Sequence, residues 1–259
     1  MTTTIAAYNL LAKDLPGALD RVARQPTVER DIAAYLRAIP NVKSIDDFMG
    51  NDRVYRFALK AFGMEDMIYA KAFIRRALRE GIDARGSLAN SLTDPRFREL
   101  VTTFNFARYG ATTTTFTRTQ EGTVDRFIQQ TLETQAGSTN EGVRLALYFK
   151  RKAAGATSSY GLLADRALLK VTQVALGLPA STGALPLDRQ VALIEKRLPV
   201  ADLRDPAKVD KLMSRFLALW DIENPTSSAP SQAAGLIVGG SVGIGTDLLA
   251  QLQGLRSKV

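Results

Sequence analysis

Apolar side chains recur at helical spacing along nearly the whole chain, broken by proline, glycine and capping residues. After Pro26, Val28, Ile32, Tyr35 (or Leu36) and Ile39 share one face, and Pro40 stops the run. Pro16 and Pro26 stand where a first helical residue belongs, because the amide that proline lacks has no partner in a first turn. Asn51 predicts the cap of a helix that runs through Phe62 and ends at Gly63. The stretch from Glu65 to Glu80 aligns Met67, Ala70, Ile74 and Leu78 before Gly81 closes it. Thr93, Asp94 and Pro95 open a helix to about Phe104, and Ser138 with Glu141 makes a capping-box pattern ahead of GVRLALYF. That run is apolar on nearly every side, which places Val143 to Phe149 in the middle of the core. Helices from Tyr160 to Leu176, from about Pro186 to Leu198 and from Asp205 and Pro206 to Trp220 complete an all-α reading.

The order of these elements repeats. A shift of 113 places lays Ile32 to Arg37 on Leu145 to Lys150, and Asp52-Arg53 on Asp165-Arg166. Slightly different shifts bring Ala61 to Met64 onto Ala175 to Leu178, and Asp94-Pro95 onto Asp205-Pro206. Each half reads as an apolar helix, an Asp-Arg helix ending in glycine, an amphipathic helix and an Asp-Pro helix ending on an aromatic residue. The expected architecture is one helical domain over residues 1–221, built from two similar bundles at about 28–106 and 141–220. A Thr-rich linker at 107–140, extended or with a short strand around Thr112 to Thr117, would join them. Residues 222–259 read as a flexible Gly/Ser/Pro-rich tail with a short terminal helix from Thr246 to Leu255. The tail holds a glycine-rich turn after Leu236-Ile237-Val238. It has neither G-x-G-x-x-G nor a lysine before Thr246, so it reads as a linker and not as a nucleotide-binding loop.

Composition narrows the chemistry. The 259 residues include no cysteine and no histidine. That excludes disulfides, thiolate nucleophiles, thiolate or imidazole zinc sites, Ser-His-Asp triads and histidine acid–base pairs. Any reaction would rest on carboxylates, lysine, tyrosine or hydroxyl groups. The start, MTTTIAAYNLLAKDL, lacks the basic and apolar regions of a secretory leader, and no stretch is long and apolar enough to cross a bilayer. The expectation is a cytoplasmic protein without membrane insertion.

The net charge of +8 raises the question of an acidic partner. The excess is thinly spread, and its densest spots are Arg75, Arg76 and Arg79 in one helix and Lys150, Arg151 and Lys152 at the end of another. Cations in a last turn offset the helix dipole, so these read first as end-stabilising groups. Asp46, Asp47, Asp52, Glu65 and Asp66 lie close in sequence, as a hard-cation site or an acid–base pair would require. Each also falls near a helix start, where a carboxylate satisfies free amides. Tyr35 and Tyr148, matched by the repeat, read as core residues with bonded hydroxyls, and Trp220 as an anchor for the last body helix. No catalytic, cofactor-binding or metal-ligating residue is assigned.

Five segments carry a resemblance: SIDDFMGNDRVYRFALKAFGMEDM (44–67), SLANSLTDPRF (87–97), NEGVRLALYFKRKA (140–153), LLADRALLKVTQVALGLPAS (162–181) and the stretch from Ala192 to Asp221. Together they resemble the bacterial DUF1217 family, a domain-of-unknown-function group encoded in flagellar gene clusters of alphaproteobacteria. The resemblance implies an all-helical, motility-associated protein and carries over no catalytic residue. The resulting expectation is a non-enzymatic structural, assembly or accessory component of the flagellum that binds other proteins and needs no cofactor, with export by the flagellar route as the alternative to a cytoplasmic location. A nucleic-acid-binding helical module is the alternative, and a carboxylate- or metal-dependent enzyme stands behind both.

Overall fold

The computed structural model describes residues 3–225, and among them there is no β-strand. The chain begins with α1 (Thr4–Lys13), α2 (Leu15–Ala23) and α3 (Pro26–Ala38). It continues through α4 (Ile45–Gly50), α5 (Asp52–Ala61), α6 (Lys71–Glu80), α7 (Leu88–Ser91), α8 (Pro95–Thr103) and α9 (Phe106–Tyr109). A long helix α10 (Glu121–Thr139) leads into α11 (Glu141–Lys152). The remainder is α12 (Ser159–Ala164), α13 (Arg166–Leu176), α14 (Leu187–Glu195) and α15 (Pro206–Glu223).

Local chemistry explains most boundaries. Asn51 Oδ1 accepts the Val54 amide to start α5, and Asp94 and Asp205 cap α8 and α15 ahead of Pro95 and Pro206. Gly63 and Gly177 follow α5 and α13 with φ of 66° and 61°, a region that costs other residues a Cβ clash. Two long helices expected from the pattern are each divided. The 65–80 run breaks before Lys71, where the Tyr55 hydroxyl takes the Ile68 carbonyl at 3.0 Å and leaves it outside the helical ladder. The 160–176 run breaks at Asp165, whose extended backbone lets its carboxylate accept the Ala167 and Leu168 amides. Ser138 is not a cap: it lies inside α10, its hydroxyl donates to Gln135, and Asn140 caps α11 instead.

The body has two hydrophobic cores. One gathers α2 to α9 with the first part of α10, around Phe48, Tyr55, Phe57 and Phe104. The other gathers α1 and α11 to α15 around Phe149, Leu162, Val171, Met213 and Phe216. Val143 to Phe149 does sit centrally, with five of its seven side chains buried. The helices of 26–103 and 141–223 run in a similar order, except that α7 in the first half has no α-helical counterpart between α14 and α15.

The segment 107–140 is no extended linker and has no strand. Thr112, Thr113 and Thr115 each donate a hydroxyl to a carbonyl three residues back, an arrangement that winds 110–115 into a 3-10 turn. Thr114 bonds the Val42 carbonyl at 2.7 Å and ties the turn to the first core. Beyond it, α10 is the longest helix among the described residues, and it packs on α2 and α5 on one side and on α11 on another. Phe127 stacks on Phe57 with ring centres 4.0 Å apart.

The first helix crosses to the second lobe. Tyr8 is buried in the second core, Leu11 and Leu15 touch both cores, and the Thr4 amide and hydroxyl donate to the Asp221 carboxylate. Asn140 Nδ2 donates to the Thr4 hydroxyl at 2.8 Å, so the first residue of α1, the cap of α11 and the end of α15 meet. The last helix therefore runs to Glu223, past the expected stop at Trp220. The expected tail helix and glycine-rich turn lie outside the described residues. Gly142 sits in this junction, where an added Cβ would stand 2.5 Å from Trp220 Cδ1 and 2.8 Å from Thr4 Cγ2. Gly142→Ala gains up to about 1 kcal/mol in helix propensity but overpacks the junction, at a cost of roughly 1–3 kcal/mol. A lower melting temperature with altered emission from Trp220, the chain's single tryptophan, is expected, and a rise in melting temperature would show that the junction can open without cost.

Candidate functional site

Between the lobes lies a cleft of about 550 Å³, lined by parts of α5, α8, α10, α11 and α13. Its walls follow from helical spacing. Arg144, Tyr148 and Arg151 fall at i, i+4 and i+7 on α11, and Arg126, Gln130 and Glu133 do the same on α10. Each helix thus presents a polar stripe to the other, although the buried face of α11 had suggested an all-round apolar helix.

Within this frame Glu133 is almost fully buried, and it accepts Arg151 Nε and Nη2 at 2.7 Å each and Gln129 Nε2 at 3.2 Å. Burial opposes the Arg151 charge, but the paired carboxylate more than offsets it and holds the guanidinium pKa above its ordinary value. Glu99 on α8 takes Lys152 Nζ at 2.5 Å on Oε2 and Arg126 Nη1 at 3.4 Å. Burial draws the Lys152 pKa below its ordinary value; Glu99 opposes that, while Arg151 and Arg126 add to it. The Tyr148 hydroxyl donates to Asp165 Oδ2 at 2.6 Å, and burial together with the Asp165 charge pushes its pKa far up, so it stays a donor. At the other end Arg96 pairs with Asp66 at 3.0 Å and Asp94 at 2.8 Å and also donates to the Gly63 carbonyl.

The residues singled out by sequence fall in several places. Lys150, Arg151 and Lys152 diverge to three elements, pairing with Asp210, Glu133 and Glu99. Arg75 pairs with Asp46, and Arg76 with Glu80 at 2.6 Å. Asp47 forms a capping box with Ser44 and accepts the Lys43 and Ser44 amides at 3.0 Å, bonds that hold its carboxyl below the usual range. Asp52 pairs with Arg56 and Lys71, and Asp66 faces Arg96 in the cleft. Asp46, Asp47 and Asp52 line one open surface hollow beside Asn41 and Asn51, and Glu65 and Asp66 are not part of it; among the described residues no group of three or more His, Cys, Asp or Glu is placed to hold a metal ion. Tyr35 is fully buried with its hydroxyl on the Thr119 carbonyl, and Trp220 packs on Phe216 at 5.6 Å.

A second feature lies on the outside of the second lobe. Tyr160, Leu185 and Leu187 are 47%, 42% and 53% exposed. They form one corner, because the Tyr160 hydroxyl reaches Asp188 beside Leu187 in the first turn of α14. Among the described residues, no helix is long and apolar enough to cross a membrane.

Fold and cleft define a two-lobed all-helical protein with a charged interlobe surface and an apolar corner. The family model described as "Protein of unknown function (DUF1217)" matches residues 61–209, and the chain belongs to that family. The crystal structure of protein AGR_C_984 from Agrobacterium tumefaciens, a structural-genomics target, is similar to it. The two are 45% identical, with a TM-score of 0.80 over 86% of this chain and 94% of the other. A comparison with curated proteins gives no match.

Proposed function

We propose that the chain acts by binding another protein, as a non-enzymatic structural, assembly or accessory component of the bacterial flagellum. The observation that carries the reading is the corner of Tyr160, Leu185 and Leu187, three large apolar side chains held in solvent on the packed helices α12 and α14 and the bend that leads into α14. Exposed aromatic and aliphatic groups that cluster on a rigid support are the usual anchors of a protein interface. The flagellar setting rests on the family likeness. The similar order of helices in the two halves, α7 aside, supports an origin by duplication, which suits a scaffold.

Leu185→Ser combined with Leu187→Ser tests the proposal. Both positions are exposed, so stability is expected to change by no more than about 0.5 kcal/mol each. Capture of flagellar components from motile cells by the variant should fall about tenfold, as for loss of a modest interface anchor. Undiminished capture, or no capture by the unaltered protein either, would count against the reading.

A further inference from the structure

We propose that the interlobe cleft, lined by Arg126, Lys152 and Arg166, binds a small, multiply charged oxyanion, a phosphate or polycarboxylate group. Pairing in the cleft is uneven. Arg151 is fully matched by Glu133, and Arg96 by two carboxylates, Asp66 and Asp94. Glu99 alone serves both Lys152 and Arg126, and its contact with Arg126 is long at 3.4 Å. Arg166 lines the same cavity and has neither an ion pair nor a side-chain hydrogen bond among the described residues. Asp165, the nearest carboxylate in sequence, is occupied by the α13 amides and the Tyr148 hydroxyl. Arg144 is matched only by Glu141 on its own helix.

Along the cleft wall Arg126 and Lys152 share one carboxylate and Arg166 has none among the described residues, so these cations outnumber their partners. Spare guanidinium donors in a fork geometry fit oxyanions better than they fit chloride. Arg126 is also oriented, because its guanidinium lies 5.0 Å from the centre of the Phe62 ring. Lys152 is drawn below its ordinary pKa chiefly by burial, with Arg151 and Arg126 adding to the effect of burial and Glu99 opposing it. A volume of about 550 Å³ exceeds a bare phosphate and lies within the usual range for small-molecule sites. The cleft lies apart from the apolar corner, so this proposal stands or falls independently of the protein-binding reading.

The test uses full-length protein titrated with inorganic phosphate, and separately with citrate, each against sodium chloride at matched ionic strength. Thermal melting and calorimetry supply the readouts. The expected result is saturable binding of at least one oxyanion with a rise in melting temperature that chloride does not reproduce. Preference for phosphate or citrate identifies the headgroup chemistry. Arg126→Gln with Arg166→Gln should weaken binding about tenfold or more. Arg166→Gln alone, at an exposed position, gives a folded control in which weakening is also expected. Equal stabilisation by chloride, unchanged affinity in the folded variants, or binding of an oligonucleotide but of neither small anion would overturn the proposal.

Discussion

Glu133→Ala is expected to destabilise the body by roughly 3 kcal/mol, the lower end of the cost of breaking a buried ion pair. The lower end applies because the Arg151 side chain keeps 27% exposure while that of Glu133 keeps 1%. Removing the carboxylate strands a guanidinium that has given up most of its water, between α10 and α11 where the lobes join. At about 2–4 °C per kcal/mol for a body of this size, the melting temperature should fall by roughly 6–12 °C, read by calorimetry. Glu133→Leu combined with Arg151→Met should recover most of that loss, since apolar groups of similar volume need no compensating charge. A single variant within about 0.5 kcal/mol of the parent would mean that Arg151 finds another partner, Glu99 being the nearest to hand.

Phe48→Ala should cost about 3–5 kcal/mol. Its ring is wholly buried and meets Tyr55, Phe104 and Phe106 at centre distances of 6.1, 5.0 and 5.9 Å, so the cavity has rigid aromatic walls that relax little. This variant also asks whether the lobes unfold together. Phe48 belongs to the first core and Trp220 packs against the second. Because α10 packs on both lobes and Leu11 and Leu15 touch both cores, a single cooperative unit is expected. Tryptophan emission and far-ultraviolet circular dichroism, followed in urea, should then shift to the same lower midpoint. If the emission midpoint stays in place while the dichroism midpoint moves, the lobes unfold separately.

Short-range signals were legible along the chain. Asn51, Asp94 and Asp205 announce their caps because a side-chain acceptor and the amides it satisfies lie within three residues. Gly63, Gly81 and Gly177 mark ends because a positive φ is a local demand. What depended on distant partners was harder to read. No capping side chain starts α10, and its apolar groups serve two neighbours, which spreads them around the helix instead of along one stripe. The break before Lys71 depends on a tyrosine 13 residues from the carbonyl it takes. In the cleft, the basic run 150–152 was visible as charge. Its division among Asp210, Glu133 and Glu99 was not, since those acids arrive from three separate helices. The stripe of Arg144, Tyr148 and Arg151 was within reach of a helical-wheel reading, but it is hidden in a run dominated by Leu145, Ala146, Leu147 and Phe149.

The bond between Thr4 and Asp221 spans 217 positions, which sets a schedule for synthesis. Helix α1 must wait for α15, made much later, before it can settle. The first lobe has most of its partners in hand long before then. Until α11 and α15 are made, Ile5 and Tyr8 have no second core to enter and stay open to solvent. A nascent chain halted after α10 should therefore be a chaperone client through α1, while the rest of that fragment is already folding.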